Sequence, residues 1–464
     1  MKEIKKENIK YEKLKNILMS EQAFFQTIQV LDVLGDGLSL SFNLLLQFGW
    51  IILPFILYKP LRFIFVLYIE TKWNMSFKRV LLEVKIPQHI TKPLKAMENV
   101  FNNIWPIYDP PKDWRATFFE GKTLVSLSFE IAGINGEPHF YIRVPEGARK
   151  MVESAIYAQY PDVEIVEVPD YTQNIPQDIP NKDWDMWGCD FMPLKEDVYP
   201  LKTYNDFFEE NPEAKDEKRL DPISSLLEII STLKKGEQIW IQVTVVPISV
   251  KENNYVKRGK EIIEVLLQRK KLEKKEDPYP IFLETIYTFL HWLWTGLNPE
   301  KREEEKKLEE YPFELRLTPG ERDVIAGIER KISKTCYVSR IRYIYLAKKT
   351  VFFGGAKGYG PSFFSQFGTQ HLNGLKPWSD TITKVQAPDI FTKRRLYLRK
   401  RNLFSNYVNR NSAFDPFPGG TFILSSEELA TIFHFPGIEV APTQALKRIE
   451  TKRSAPPVTL PIEE

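Results

Sequence analysis

Residues 116–123, ATFFEGKT, come closest to a nucleotide-binding motif, because they match a permissive phosphate-loop pattern with alanine replacing the first glycine. A working phosphate loop follows a strand and opens a helix, so that the helix N-terminal amides face the phosphates. Here a proline-containing loop precedes the segment and a β-rich run follows it, and Phe118 and Phe119 would crowd the loop. We therefore predict that Gly121-Lys122-Thr123 is a turn entering a strand.

Other patterns that could support catalysis are weak. Residues 354–360, GGAKGYG, lack the Gly-Lys-Ser/Thr ending and are predicted to be a flexible loop. The carboxylate pairs Asp183/Asp185 and Glu427/Glu428 are interpreted as solvated turns and a helix start, and Ser425 and Glu428 match a capping box. No nucleophile elbow and no His-Glu-x-x-His zinc motif occurs in the sequence. We predict no catalytic residue, no cofactor and no metal.

Composition limits the chemistry further. The two cysteines, Cys189 and Cys336, lie far apart and form neither a metal-ligand spacing nor a disulfide framework, which is typical of a reducing compartment. The five histidines are scattered along the chain. A net charge of +3 excludes a protein that binds polyanions over its whole surface.

A dense basic cluster is the first candidate binding site. Its six side chains, interleaved with apolar ones, are Lys393, Arg394, Arg395, Arg399, Lys400 and Arg401. On a helix, such a cluster could follow the phosphates of a nucleic acid, bound weakly, or the headgroups of anionic lipid. The alternative is an exposed arm between domains.

A tryptophan-rich stretch is the second candidate. Residues 280–297 carry one charged side chain between Lys/Glu-rich flanks. The stretch predicts a helix that lies on a membrane or binds a partner through apolar side chains, or alternatively a helix packed on its own domain. The candidate interfacial side chains are Phe282, Phe289, Trp292 and Trp294.

Residues 38–58 carry no charged side chain, and as a helix they would span about 30 Å, the hydrocarbon thickness of a bilayer. The alternative is a buried helix of a large soluble domain, but such a helix normally has a polar face. Basic residues after the run place the C-terminal bulk in the cytoplasm, although a lysine-rich N-terminus also favours that side. Residues 61–69 could form a return helix or an interfacial segment. We expect a single-pass or hairpin anchor in the cell membrane.

Hydrophobic periodicity predicts an α+β fold made of two tandem ferredoxin-like units. The first unit, residues 78–172, has the order βαββαβ, with Asn135-Gly136 as a hairpin turn. The second unit, residues 185–375, repeats the rhythm with a charged helical insertion at 253–310. Residues 1–37 form a basic N-terminal segment, 38–69 the anchor and interfacial segment, and 376–464 a basic helical arm, a capped helix and a proline-rich tail.

Three segments of the chain occur together and in order in a known family. They are residues 156–171 (IYAQYPDVEIVEVPDY), 317–334 (LTPGERDVIAGIERKISK) and 427–443 (EELATIFHFPGIEVAPT). In these segments the chain resembles the membrane-anchored, non-catalytic N-terminal region of bacterial type IV secretion and conjugation ATPases, a domain of unknown function. The resemblance covers most of residues 80–460.

The resemblance implies an anchor or assembly module rather than a motor. In those ATPases a motor with a true phosphate loop follows a proline-rich segment like residues 455–461, whereas the present sequence ends at residue 464. We therefore expect no ATPase activity and a role beside a separately encoded secretion-type ATPase. The alternatives are a membrane-surface scaffold that uses its tryptophan-rich insertion, and a hydrolase or nucleotide-binding enzyme.

Overall fold

The computed structural model describes most of the chain from residue 57 onward. The described residues are 47, 54, 57–87, 92–207, 221–251, 253–267, 317–385, 391–411 and 420–437. The tryptophan-rich stretch, most of the uncharged run at 38–58 and the proline-rich tail lie outside them. The predictions for these segments remain predictions.

Within the described residues, nine strands form one antiparallel sheet. The strands are β1 (Arg79–Lys85), β2 (Leu127–Ile134), β3 (Glu137–Pro145), β4 (Glu164–Val168), β5 (Trp184–Pro193), β6 (Glu237–Ile248), β7 (Cys336–Lys348), β8 (Leu375–Pro377) and β9 (Phe422–Ser425). Their order across the sheet is β4-β1-β3-β2-β6-β7-β5-β8, and β9 pairs with part of β7. The predicted α+β class is therefore confirmed.

The sheet has two halves with the same strand order. Counting inward from each outer edge, the first half reads β4-β1-β3-β2 and the second reads β8-β5-β7-β6. β2 and β6 join the halves through an antiparallel ladder that runs from Leu127 opposite Val245 to Ile134 opposite Gln238. Strands from both predicted units thus share one continuous sheet.

Ten described helices precede, separate and follow these strands in the chain. They are α1 (57–76), α2 (Lys95–Ile104), α3 (Trp114–Phe118), α4 (Arg149–Gln159), α5 (Ser224–Ser231), α6 (Tyr255–Leu266), α7 (Pro319–Ile332), α8 (Tyr359–Ser365), α9 (Thr392–Val408) and α10 (Ser426–Ile432). Local sequence sets several boundaries. Asn135 and Gly136 have φ values of 53° and 95°, as a tight β2–β3 hairpin requires. Thr318 and Glu321 form the capping box of α7.

The two faces of the sheet are covered differently. One face carries the main apolar core, to which α2, α4, α5, α8 and α10 contribute buried side chains. The opposite face, here called the second face, carries a smaller core around Trp240. Part of α9 and residues 171–179 cover that smaller core. Both faces are therefore buried at the centre of the sheet.

The structure corrects the prediction that the glycine-rich segment 354–360 is a flexible loop. Gly354–Gly358 form a 3-10 turn that leads directly into α8. A Cβ atom at Gly360 would lie 2.6 Å from Cγ of Tyr343, so glycine at this position lets α8 approach β7 closely. Gly360 thus serves helix–sheet packing.

The chain divides into two compact units, and the smaller consists of residues 1–74 with 112–122. In it, Gly121 has a φ of +66°, and a Cβ atom there would lie 2.5 Å from the carbonyl carbon of Ile69 in α1. Only glycine fits such a backbone approach. The Arg62 guanidinium lies 4.7 Å from the centre of the Phe118 ring. Because Gly121 of the Gly-Lys-Thr motif has no side chain, the backbone of residues 112–122 can lie close to the backbone of α1.

None of the helices in the described residues combines the length and the apolar character that a membrane crossing requires. The predicted return segment at 61–69 belongs to α1, which continues through residue 76 as one helix.

Candidate functional site

The predicted basic cluster lies on α9, and the C-terminal half of this helix is fixed to the sheet. Leu403, Phe404 and Tyr407 are buried in the core of the second face. Gly188 of β5 makes room for the helix, since a Cβ atom there would lie 2.9 Å from Cδ2 of Leu403. The alternative of an exposed arm is therefore wrong for this half of α9.

Arg399, Lys400 and Arg401, the C-terminal members of the predicted basic cluster, bind groups of the protein. Arg399 donates to the carbonyl oxygen of Lys384 at 2.7 Å, and Arg401 donates to that of Gln177 at 3.3 Å. The Lys400 ammonium lies 2.5 Å from Oδ1 of Asp185, so the predicted solvated pair Asp183/Asp185 contributes one of its carboxylates to an ion pair. These three cations help to dock α9.

The remaining three predicted ligands, Lys393, Arg394 and Arg395, are exposed in the first turn of α9. Exposed apolar side chains accompany them: Phe391 is 75% exposed, Leu398 53% and Tyr397 45%. The basic cluster therefore divides into an inner half and an outer half at about the middle of the helix.

A buried ion-pair network lies on the second face, next to the end of α9. The Arg410 side chain is 1% exposed and donates from Nε and Nη2 to the two carboxylate oxygens of Glu130, at 2.9 and 3.1 Å. Arg410 also binds Asp170. Burial alone would raise the pKa of Glu130, but the charge and hydrogen bonds of Arg410 outweigh burial and lower it. Burial would likewise raise the pKa of Asp170, but the hydrogen bonds and charge of Arg410 outweigh burial and lower it.

The network continues through phenols and amides. Tyr171 donates to Glu130 at 2.7 Å and lies 2.8 Å from the hydroxyl of Tyr407. Gln242 donates to Glu130 and accepts from Arg342, both at 3.0 Å. Burial raises the pKa of both tyrosines well above its ordinary value, so they stay protonated. The strand register forces these side chains together, because Glu130, Gln242 and Arg342 are cross-strand neighbours.

A second set of buried charges surrounds the start of α10. Glu427 and Glu428 stand in the first turn of α10, which confirms the predicted helix start, and each is 1% exposed. Glu428 accepts from Lys331 at 3.0 Å and from the amide of Leu201 at 2.8 Å, and it closes the predicted capping box with Ser425. Burial would raise the pKa of Glu427, but Lys334 and other donors lower it.

A cavity of about 330 Å³ opens beside this set. Four acidic and two basic side chains face it, and they are Asp206, Asp323, Glu427, Glu428, Arg330 and Lys331. The sequence indicated Glu427 and Glu428 as a carboxylate pair at a helix start but did not indicate their buried contacts, because their partners lie far away along the chain. Nowhere in the described residues do three His, Cys, Asp or Glu side chains converge as metal ligands.

His434 and Asp221 form a further buried pair. Nε2 of His434 lies 2.7 Å from Oδ1 of Asp221, and Nδ1 lies 3.0 Å from the carbonyl oxygen of Ala430. Both ring nitrogens of His434 therefore lie within hydrogen-bonding distance of an oxygen acceptor. Burial would raise the pKa of Asp221, but His434 and two backbone amides lower it.

The four predicted interfacial side chains, Phe282, Phe289, Trp292 and Trp294, lie outside the described residues. The residues that sequence reasoning missed are the buried ones, above all Glu130, Asp190, Arg342 and Arg410. In comparisons with known proteins, no family model and no curated protein matches the chain.

Proposed function

We propose that the protein is a membrane-tethered, non-enzymatic anchor or assembly module of a type IV secretion- or conjugation-like translocation complex. It would act beside a separately encoded ATPase and hold the bulk of its chain on the cytoplasmic side of the cell membrane. The observation that carries the membrane part of this proposal is the exposed apolar surface of α1.

The apolar surface of α1 is a stripe at helical spacing. Its members are each more than one-third exposed, and they are Leu57, Tyr58, Leu61, Ile64, Phe65 and Tyr68. Residues at these intervals share one side of a helix, and Phe63 is exposed on the other side. A contiguous exposed apolar stripe indicates an apolar partner, and this one directly follows the uncharged run at 38–58. Lys59, which is exposed, is long enough to extend its charge to the lipid headgroups.

The architecture supports a proposal of two ferredoxin-like repeats. Each half of the sheet has the strand order 4-1-3-2 when its strands are numbered along the chain. A helix lies between the first and second strands and between the third and fourth strands of each half, which is the βαββαβ order. In the first half the second and third strands, β2 and β3, form a hairpin. In the second half α6 and α7 lie between the corresponding strands, β6 and β7. The fold by itself specifies no activity.

The buried charges support a structural role. Glu130 faces Arg410, Glu428 faces Lys331 and Asp221 faces His434. Each of these acids binds a side chain from a distant part of the chain. Such pairs connect elements of a rigid scaffold, whereas a general acid or base must keep access to a substrate.

Membrane fractionation tests the anchor. We expect the full chain to sediment with membranes and to resist extraction by alkaline carbonate, because an apolar helix in lipid is not released by breaking ionic contacts. A chain lacking residues 1–75 should instead appear in the high-speed supernatant. Recovery of the full chain in that supernatant without detergent would refute the anchor.

Copurification tests the partner. After cross-linking in cells that encode a secretion-type ATPase, tagged full-length protein should enrich that ATPase above unrelated membrane ATPases of similar abundance. Equal recovery of the two would contradict the assembly role, while the result of the carbonate experiment would stand separately.

A further inference from the structure

We propose that the outer half of α9 is a second membrane contact, which binds the headgroups of anionic lipid. This inference rests on the proposed membrane tether. The contact surface is formed by Phe391, Arg394, Arg395 and Leu398.

Three of these residues share one side of α9. Arg394, Arg395 and Leu398 stand at positions i, i+1 and i+4, within the width of a single helix face, and Phe391 directly precedes the helix with a φ of 60°. The side chains that bury the helix, Leu403 and Tyr407, lie on the opposite side. The contact surface therefore points away from the sheet, and the rigid packing of the C-terminal half holds it in place.

The side of α9 that points away from the sheet changes in residue type along the helix. In the C-terminal half, exposed positions on this side are occupied by Asn402, Ser405 and Asn409, which are polar and uncharged. In the N-terminal half they are two arginines between an exposed phenylalanine and an exposed leucine. Cations beside apolar side chains match the boundary between lipid headgroups and acyl chains.

Lipid fits this surface better than nucleic acid does. Phe391 is the one aromatic side chain of this surface, and Leu398 has no ring on which a base could stack, whereas a groove for a strand normally places several aromatic platforms beside its cations. The inner cations Arg399, Lys400 and Arg401 already bind protein groups, which shortens any track for phosphates. A tethered chain also holds α9 near the bilayer at a high effective concentration.

The experiment places an environment-sensitive fluorophore on α9 of the full chain. Both native cysteines are buried, so Leu398→Cys provides a selectively reactive thiol. The labelled protein is reconstituted into vesicles of phosphatidylcholine, alone or with roughly one third phosphatidylglycerol, a charge density that attracts basic segments. We expect a blue shift and quenching by brominated lipid in the anionic vesicles, and a weaker response in the neutral ones.

Charge variants test the mechanism. Each cation near an anionic surface changes the ratio of lipid-bound to unbound α9 about fivefold. The double change Arg394→Gln and Arg395→Gln should therefore lower this ratio about 25-fold. The matched control changes Lys234 and Lys235, two adjacent exposed cations after α5, to glutamine and should leave the fluorescence unchanged. A label at Ser405→Cys should respond less than the label at position 398.

The outcomes separate the lipid contact from the tether. If the chain floats with both kinds of vesicle while the label shows no dependence on anionic lipid, the proposed contact is wrong and the tether stands. If the chain does not float with neutral vesicles, the tether itself is wrong. A label that responds to short single-stranded DNA and not to vesicles would assign the surface to nucleic acid and overturn the lipid proposal.

Discussion

Replacing Arg410 tests the stabilising role of the second-face network most directly. Arg410→Met keeps an apolar side chain of similar length and removes the guanidinium. The Glu130 carboxylate then stays buried on the sheet with its principal counter-charge gone, and Asp170 loses its partner at the edge of the network. We expect the variant to be strongly destabilised near neutral pH.

The expected magnitude follows from burial. Removing one partner of a buried ion pair costs about 3–5 kcal/mol, since the remaining charge is left uncompensated. Glu130 is fully buried and dominates, whereas the Asp170 side chain is 21% exposed and contributes less because water screens it. Adding Glu130→Gln removes the stranded charge. The double variant should therefore recover about 2 kcal/mol relative to the sum of the two single changes.

The pH dependence has a definite sign. In the native protein the pKa of Glu130 is lowered, so its stabilising effect is present above the unfolded pKa of about 4.3 and is lost as the pH falls through the folded pKa. In Arg410→Met, burial without the cation raises the pKa of Glu130. The variant then gains stability by binding a proton, and its deficit should shrink between about pH 8 and pH 5.

Urea denaturation of the full chain in detergent, followed by far-ultraviolet circular dichroism, measures these free energies. Lys78→Gln provides the control, because its partner Glu146 is exposed and such pairs contribute about 0–1 kcal/mol. The reasoning fails if Arg410→Met unfolds with the same free energy as the control. It also fails if its deficit is independent of pH.

Three further changes test other parts of the structure. Gly121→Ala should destabilise the α1 unit by more than about 1 kcal/mol, because its φ is positive and the Ile69 backbone is adjacent, and protease cleavage near residue 70 should accelerate. Purified protein should not bind ATP in calorimetry, and micromolar binding that disappears in Lys122→Ala would contradict the packing role of that turn. In wild type the free energy of unfolding should fall as the pH drops through the lowered pKa of Asp221. Asp221→Asn should remove this pH-dependent part of the stability, as measured by acid titration followed by circular dichroism.

Local patterns predicted much of the fold. The Asn135-Gly136 hairpin and the Ser425/Glu428 capping box are both confirmed. Each depends on residues within a few positions of one another, where turn and helix preferences act directly. The edge-to-edge pairing of β2 with β6 had no such signal, because strand register between distant segments depends on the packing of the whole sheet.

The candidate site was predicted only in part for the same reason. Six cations on one helix are evident in the sequence, but the partners of Arg399, Lys400 and Arg401 come from other elements, at Lys384, Asp185 and Gln177. Glu130 and Arg410 looked like ordinary surface charges because 280 positions separate them. Charge patterns show which residue types are available, and tertiary contacts decide which of them remain exposed.

The ladder between β2 and β6 has a consequence for biogenesis. During synthesis β2 leaves the ribosome about a hundred residues before β6, so its hydrogen-bonding edge waits unpaired while the first half folds. An uncovered edge can recruit the same strand of another nascent chain. We therefore expect fragments that stop between β4 and β5 to form soluble aggregates or swapped dimers, and adding the second half in trans should rescue them. The two halves of the sheet would then behave as two binding partners that recognise each other through β2 and β6.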